Sequence, residues 1–219
     1  MPAAESSQGG DLRSPTPIAR RSLIELATVA AIVPGLTACG TASAPPGRVR
    51  FPEPSYEGHG PLRLEVSTIE IDTAYRPSLA PPHVDHLMPL QPEQALRRWA
   101  ADRLVATGTV GRRARFMIED AKVVESVLPR SGGLRELFTA DQARRYDGTV
   151  SASLEIRPER GASREGFASA TVTRFRTTAQ GISINERERV WFELVDSMLA
   201  DFNAEFERQV RDHLIAFLR

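Results

Sequence analysis

The sequence predicts an α+β fold: a small mixed β-sheet in the order β-α-β-β-β-α, with two helices on one face and a long C-terminal helix. Two observations predict it. Apolar and polar residues alternate in four segments, as in half-buried strands, and apolar residues recur at helical spacing in two others. A sheet covered on one side by both helices is the arrangement that buries every apolar stripe.

The first predicted strand is Leu62–Asp72, and its alternation resumes on a shifted phase at Ile69, which indicates a bulge. A proline-rich loop follows. The first helix is expected to start near Pro92, because proline suits the first turn, and to end at Gly108. Its apolar face consists of Leu96, Trp99, Ala100 and Leu104.

Three further strands are predicted over Arg113–Leu128, Tyr146–Arg157 and Phe167–Ala179. A helix joins the first two strands of the chain, so these strands are expected to be parallel or separated by another strand. The later strands are joined by shorter links, which predict antiparallel pairing.

The final pattern, Asn185–Leu218, is helical and contains no Gly or Pro. Unbroken, it would span roughly 50 Å, so its end is expected to project beyond the sheet or to bend. The C-terminal part of its stripe is therefore a candidate contact for a partner, a lipid or a second copy. The whole stripe consists of Trp191, Leu194, Val195, Met198, Phe202, Phe206, Val210, Leu214 and Phe217.

Composition limits the partners and the chemistry. The 219 residues include 28 basic and 28 acidic side chains, so the chain has no overall attraction for nucleic acid, and no nucleic-acid partner is expected. A single cysteine, Cys39, excludes an intramolecular disulfide and a multi-cysteine metal site.

Residues 1–38 are organised like a signal peptide: Arg20 and Arg21 supply charge, a short apolar run follows, and small residues precede Cys39. The run is far shorter than the about 20 residues that a membrane-spanning helix needs. Residues 39–60 are rich in Pro, Gly and Ala and are expected to form a flexible tether, with a single domain over 61–219.

Leu36-Thr37-Ala38-Cys39 resembles the lipobox of bacterial lipoproteins: an aliphatic residue, two small residues and the cysteine. The resemblance implies that Cys39 receives a diacylglyceryl group and becomes the mature N-terminus. Gly40 stands where aspartate retains enteric lipoproteins on the inner membrane, which favours the outer membrane. Arg20-Arg21-Ser22-Leu23-Ile24 resembles the twin-arginine export motif, and an ordinary secretory signal is the alternative.

The element order, together with the lipobox, resembles small α+β periplasmic lipoproteins, including the auxiliary lipoproteins of lipid-transporting ABC systems and the lipopolysaccharide-assembly lipoproteins. It favours a non-enzymatic lipoprotein of the bacterial envelope that faces the periplasm and is a binding or assembly subunit of a membrane complex, such as a lipid-transport complex. Its expected partners are the membrane, through the lipid anchor, and an envelope protein. No cofactor is expected besides the covalent lipid on Cys39.

The sequence contains no nucleophile elbow, no Walker loop and no His-Glu-x-x-His motif. His83, Asp85 and His86 have side chains that suit zinc, but their proline-flanked segment favours a solvated loop, and no metal site is predicted. Acidic residues at the start of the last helix are expected to complement its dipole. They are Glu186, Glu188, Glu193 and Asp196.

Two alternative functions remain open. One is a periplasmic hydrolase that uses an unrecognised carboxylate pair, such as one at the start of the last helix. The other is a small-ligand or metal-binding module built on the His83 loop. A deep polar pocket that holds two close carboxylates would favour the hydrolase.

Overall fold

The computed structural model describes residues 50–56, 58–128 and 142–219. The fold is α+β, as predicted. Its elements are β1 (Leu62–Leu64), β2 (Ile69–Thr73), α1 (Pro92–Arg103), β3 (Leu104–Ala106), β4 (Arg112–Val127), β5 (Gln142–Pro158), β6 (Gly166–Ala179) and α2 (Ile184–His213). The predicted signal and lipidation residues lie outside the described ranges: Arg20, Arg21, Leu36, Thr37, Ala38 and Cys39.

The main sheet has four strands in the order β2-β4-β5-β6, and β1 and β3 form a small separate sheet. β2 pairs with β4 in parallel, across the connection that contains α1, whereas β4, β5 and β6 pair antiparallel. Both expectations about strand direction are therefore confirmed. The long β4–β5 pairing is interrupted by one bulge, between Ile118 and Asp120.

The predicted strand Leu62–Asp72 is in fact two strands that belong to different sheets. β1 pairs with β3, and the chain then turns so that the Ser67 amide donates to the Arg112 carbonyl oxygen at 2.8 Å, next to β4. The shifted phase at Ile69 marks this change of sheet, so the predicted bulge in the first strand is wrong.

The first helix ends at Arg103, before the predicted stop at Gly108. Leu104 already has an extended backbone, with φ −101° and ψ 121°, and pairs with Leu62 in the small parallel sheet. Pairing with β1 gives the backbone groups of residues 104–106 hydrogen-bond partners, which another turn of helix would otherwise have had to supply.

Both helices pack on the same face of the main sheet and enclose one aromatic cluster. The Trp99 ring on α1 lies 5.7 Å from that of Phe116 on β4 and 5.0 Å from those of Phe202 and Phe206 on α2, measured between centroids. All four side chains are fully buried. The apolar face predicted for the last helix is therefore core, including Trp191.

The end of the long helix does not project. α2 ends at His213, and a short 3-10 turn, Ile215–Phe217, leads to Leu218, which pairs with Leu64 in β1. Gly166 makes room for this return, because a Cβ there would lie 2.6 Å from Leu214 Cδ2. Phe206, Val210 and Leu214 are fully buried and Phe217 packs against the core, so this part of the stripe belongs to the core and is not the candidate contact for a partner, a lipid or a second copy.

Residues 50–56 and 58–60, here called the strap, lie against the helices although the sequence assigns them to the tether. The Phe51 ring stacks on Phe192 of α2 at 4.9 Å, and Glu53 pairs with Arg98 of α1. Tyr56 is part of the core. The ordered part of the chain therefore includes residues before 61, because these aromatic side chains bury apolar area against the helices.

Candidate binding surfaces

The face of the main sheet opposite the helices, here called the open face, is rich in hydroxyl groups. Strand alternation directs the polar residues of β4, β5 and β6 to this side, while Phe116, Leu154 and Ala168 point to the helices. Its central hydroxyl residues are Thr149, Ser151, Ser153, Ser169, Thr171 and Thr173, of which Ser151 and Ser153 are buried. The exposed ones, Ser169, Thr171 and Thr173, suit hydrogen bonding to a polar partner.

The bulge in β4 places Glu119 among these hydroxyl groups. Ser153 Oγ donates to its carboxylate at 2.7 Å and Ser151 Oγ at 3.3 Å, and Ser151 also bonds Thr171 at 2.9 Å. A serine nucleophile needs a base with a pKa near the working pH. In the described ranges no histidine hydrogen-bonds to these serines, and both hydroxyl groups donate to Glu119.

Two exposed aromatic rings flank the hydroxyl groups on β6, and an arginine covers each. The Arg145 guanidinium lies 3.9 Å from the centroid of Phe175, and that of Arg164 lies 4.4 Å from the centroid of Phe167. Hydrogen bonds from Arg145 to Asp147 raise the pKa of Arg145. The open face therefore combines neutral donors, fixed cations and aromatic edges, which are usual at protein interfaces.

The segment proposed as a solvated loop is instead paired with the sheet. The Val84 amide donates to Val123 at 2.9 Å and the Glu125 amide donates to Pro82 at 2.8 Å, so the segment extends the edge of β4. This pairing carries Asp85 inward to 3% exposure, and the interpretation as a solvated loop is therefore wrong.

Asp85 takes its hydrogen bond from a tyrosine. Tyr75 Oη donates to Asp85 Oδ2 at 3.0 Å, and burial together with the Asp85 charge raises the pKa of Tyr75 above its ordinary value of 10.0. His83 Nδ1 lies 3.8 Å from Asp85 Oδ1, and His86 Nδ1 has no hydrogen-bond partner. Within the described ranges, no three His, Cys, Asp or Glu residues form a group that could hold a metal ion.

We expect the double replacement of His83 and His86 by alanine to leave metal content and fold unchanged. Asp85 keeps its hydrogen bond from Tyr75 in this variant, so the free energy of unfolding should change by less than about 1 kcal/mol. Elemental analysis and urea unfolding of the wild type and the variant measure both quantities. Stoichiometric zinc in the wild type that is lost from the variant would contradict the expectation and restore the metal-binding module.

The strap lies between two open clefts on the helical side. The first, of about 550 Å³, is lined by residues that include Tyr56, His59, Asp196 and Glu207, and the second, of about 670 Å³, extends to Arg98. Burial, followed by the charge of Asp196, raises the pKa of Tyr56 to about 12. The Tyr56 hydroxyl is buried and has no hydrogen-bond partner among the described residues.

The acidic residues at the start of α2 include one that caps the helix. Glu186 forms a capping box with Ser183, and the hydrogen bonds from Ser183 lower the pKa of Glu186. This agrees with the expected role of Glu186 at the start of the helix. In the first cleft, Asp196 and Glu207 are eleven positions apart on one helix, roughly 16 Å. Paired glycosidase carboxylates, for comparison, stand roughly 5–10 Å apart.

Comparison with known proteins gives low similarities. No protein-family model and no curated protein matches the chain. Rare lipoprotein B from Shewanella oneidensis matches with 5% identity over 66% of this chain and 95% of that one, at a TM-score of 0.36. A minor lipoprotein from Acinetobacter baumannii matches with 11% identity over 67% and 92%, at 0.34. A neuraminyllactose-binding hemagglutinin homolog from Helicobacter pylori matches with 8% identity over 75% and 97%, at 0.33.

These TM-scores and identities are too low to establish a shared family or a function for this chain.

Proposed function

We propose that this chain is a lipoprotein of the bacterial cell envelope, anchored through lipid on Cys39 and facing the periplasm, with the outer membrane favoured over the inner one. In this proposal it is a non-enzymatic binding or assembly subunit of a membrane complex, of the kind that transports lipids. The lipid is its only covalent addition, and an envelope protein is its partner.

The observation that carries the anchor is the position of the single cysteine. Cys39 follows an aliphatic residue and two small ones at the end of a signal-like segment. Two or three acyl chains anchor a protein stably, since each buried CH₂ contributes about 0.8 kcal/mol. In the residues described, no helix has the length and apolar character to cross a membrane.

The binding role draws on the open face. A sheet face that presents hydroxyl groups, arginines and two aromatic rings offers a broad polar surface, whereas in the second cleft beside the strap the carboxylates of Glu53 and Asp102 are both paired with Arg98. The strap packs against the helices, on the opposite side of the main sheet from the open face.

We expect Cys39→Ser to abolish the incorporation of labelled palmitate by cells that express the full chain, because the thiolate sulfur is the atom that would accept the lipid. Labelling followed by immunoprecipitation measures it, with Ser43→Ala, four residues further along the chain, as the matched control. If the wild type is exported without taking up label, the lipoprotein proposal is wrong. Fractionation alone does not decide, since an uncut signal peptide also holds a protein in a membrane.

The binding role is tested by affinity purification from solubilised membranes, with mass spectrometry of the proteins that co-purify. Ser169→Arg changes an exposed position on the open face, and Arg189→Glu changes an exposed position on α2. A partner that binds the open face should be lost only with Ser169→Arg. Equal recovery with both variants would remove the open face from the proposal.

A further inference from the structure

β6 is an edge strand whose outer side has no strand partner among the described residues. It contains 14 residues, without proline, and its only register shift against β5 lies at Gln142/Arg144. Edge strands of this length are usually blunted by proline, lysine, bulges or a covering element. The two charged residues of β6, Arg174 and Arg176, turn instead toward α2, where they bond Asp201 and Ser197.

A groove of about 530 Å³ follows this edge and is walled on one side by α2. The residues that α2 contributes recur at positions i, i+3, i+4 and i+7, so they form one face of the helix. They are Asp201, Ala204, Glu205 and Arg208. On the other side the groove is lined by residues 171–174 of β6. Arg208 is 58% exposed and Asp201 38%, so both can meet a partner.

Asp201 and Arg208 of the groove are complementary to each other under a two-fold rotation, while Glu205, which lies near the axis, is neutralised by its own ion pair with Arg208. Asp201 and Arg208 stand seven positions apart, roughly 10 Å, on one face of α2. A two-fold axis at the middle of the groove, beside Val172, makes β6 antiparallel to a second β6 and sets Arg208 opposite Asp201 of the second copy. The same axis sets Thr171 opposite Thr173 of the second copy, so no like charges face each other on the open face.

The spacing of the layers allows this arrangement. α2 packs over β6 and, to a lesser extent, over β5. Strands lie about 4.8 Å apart, so the two α2 helices would be separated by about two strand spacings, close to 10 Å. Helices pack at separations of 8 to about 10 Å, so they would touch while the strands pair.

We infer that the β6 edge binds a second copy of this chain, and that the two four-stranded sheets join into one continuous sheet with the paired α2 helices on the same side. The unblocked edge supplies main-chain hydrogen bonds, and the Asp201 and Arg208 pairs set the register. This inference does not depend on the lipid anchor.

The test is a charge reversal on the full chain, with Cys39→Ser so that no lipid drives association. Asp201→Arg and Arg208→Asp each place like charges across the axis, and each should weaken dimerisation by about tenfold or more. An equimolar mixture of the two variants restores both opposite-charge pairs and should form a heterodimer. Sedimentation velocity measures the dimer and circular dichroism confirms the fold. Arg189→Asp is the control, since it lies roughly 18 Å from Asp201 and roughly 28 Å from Arg208 along α2.

Loss of the dimer in each variant and its recovery in the mixture would support the inference. A wild-type chain that stays monomeric at about 100 μM, weaker than most specific complexes, would overturn it. So would a dimer that both reversals leave intact, since the contact would then lie elsewhere. If either variant fails to fold, Thr173→Lys, at an exposed position opposite Thr171 of the second copy, replaces it with the same expected loss.

Discussion

Trp99→Ala is expected to lower the free energy of unfolding by about 3–5 kcal/mol, the largest loss among single truncations of this core. The Trp99 side chain is fully buried and lies in ring contact with Phe116, Phe202 and Phe206, so it joins α1 to the sheet and to α2. Truncation removes all three contacts and leaves a cavity that the β-sheet and helix backbones cannot close.

Trp99→Phe is the matched control, because it keeps a ring in the cluster and removes the indole N–H that donates to Asn203 Oδ1 at 3.0 Å. Asn203 keeps its second donor, Arg103 Nε at 3.0 Å, so the cost should be roughly 1–2 kcal/mol. Urea unfolding followed by circular dichroism measures both variants. A loss below about 1 kcal/mol for Trp99→Ala would mean that α1 does not depend on this cluster for its packing.

The long elements were predictable from the sequence because their periodicity is local. β5 alternates Val150, Ala152, Leu154 and Ile156 with polar residues, and α2 repeats its apolar stripe over about eight turns. Such patterns depend only on which face is buried, and a single strand or helix carries enough repeats to show it.

The short and long-range features were not predictable in this way. β1 and β3 contain three residues each, too few to show a period, and they exist because each pairs with the other across α1. The return of Leu218 to β1 and the stacking of Phe51 on Phe192 are likewise contacts between distant parts of the chain. Composition marked the strap as tether because its prolines and glycines hide the burial of Tyr56.

The candidate surfaces illustrate the same limit. The prolines around His83, Asp85 and His86 predicted a solvated loop, but this segment pairs with β4, and that pairing leaves no sequence pattern. Glu119 was missed because it stands in a bulge, where the alternation of β4 slips by one residue. The shift in the apolar–polar alternation within β4 was the sequence signal that could have revealed the bulge.

The buried Arg103 was also missed, although its position was readable. Arg103 stands four residues after Trp99 and seven after Leu96, so helical spacing places it on the buried face of α1. It is only 1% exposed, and it donates to Asn203, to the Gly60 carbonyl oxygen and, at 2.5 Å, to Glu207. Through these bonds a single guanidinium joins α1 to α2 and to the strap.

Removing the carboxylate that pairs with Arg103 is expected to destabilise the domain more than removing Arg103 itself. Glu207→Ala leaves the Arg103 charge buried with neutral acceptors only, so it is expected to cost roughly 3 kcal/mol. Arg103→Met removes the charge and nearly keeps the volume, and Glu207 stays paired with Arg211 at 2.7 Å, so the cost should be only roughly 1–2 kcal/mol. The double variant Arg103→Met/Glu207→Ala should therefore have a higher free energy of unfolding than Glu207→Ala alone. The two changes would then be non-additive.

Arg211→Met is the matched control, since this arginine contacts the same carboxylate but is 62% exposed, and its loss should cost under about 1 kcal/mol. Acid provides an independent measurement. The Arg211 hydrogen bond, followed by the Arg103 charge, lowers the pKa of Glu207. A carboxyl group with a lowered pKa stabilises the folded protein above its ordinary pKa of 4.5, and this stabilisation is lost as the pH falls through the folded-state pKa. Glu207→Gln should therefore flatten part of the fall in unfolding free energy below pH 4.5. If Arg103→Met costs more than Glu207→Ala and the double variant is worse than either, the guanidinium stabilises the domain by packing rather than by its charge.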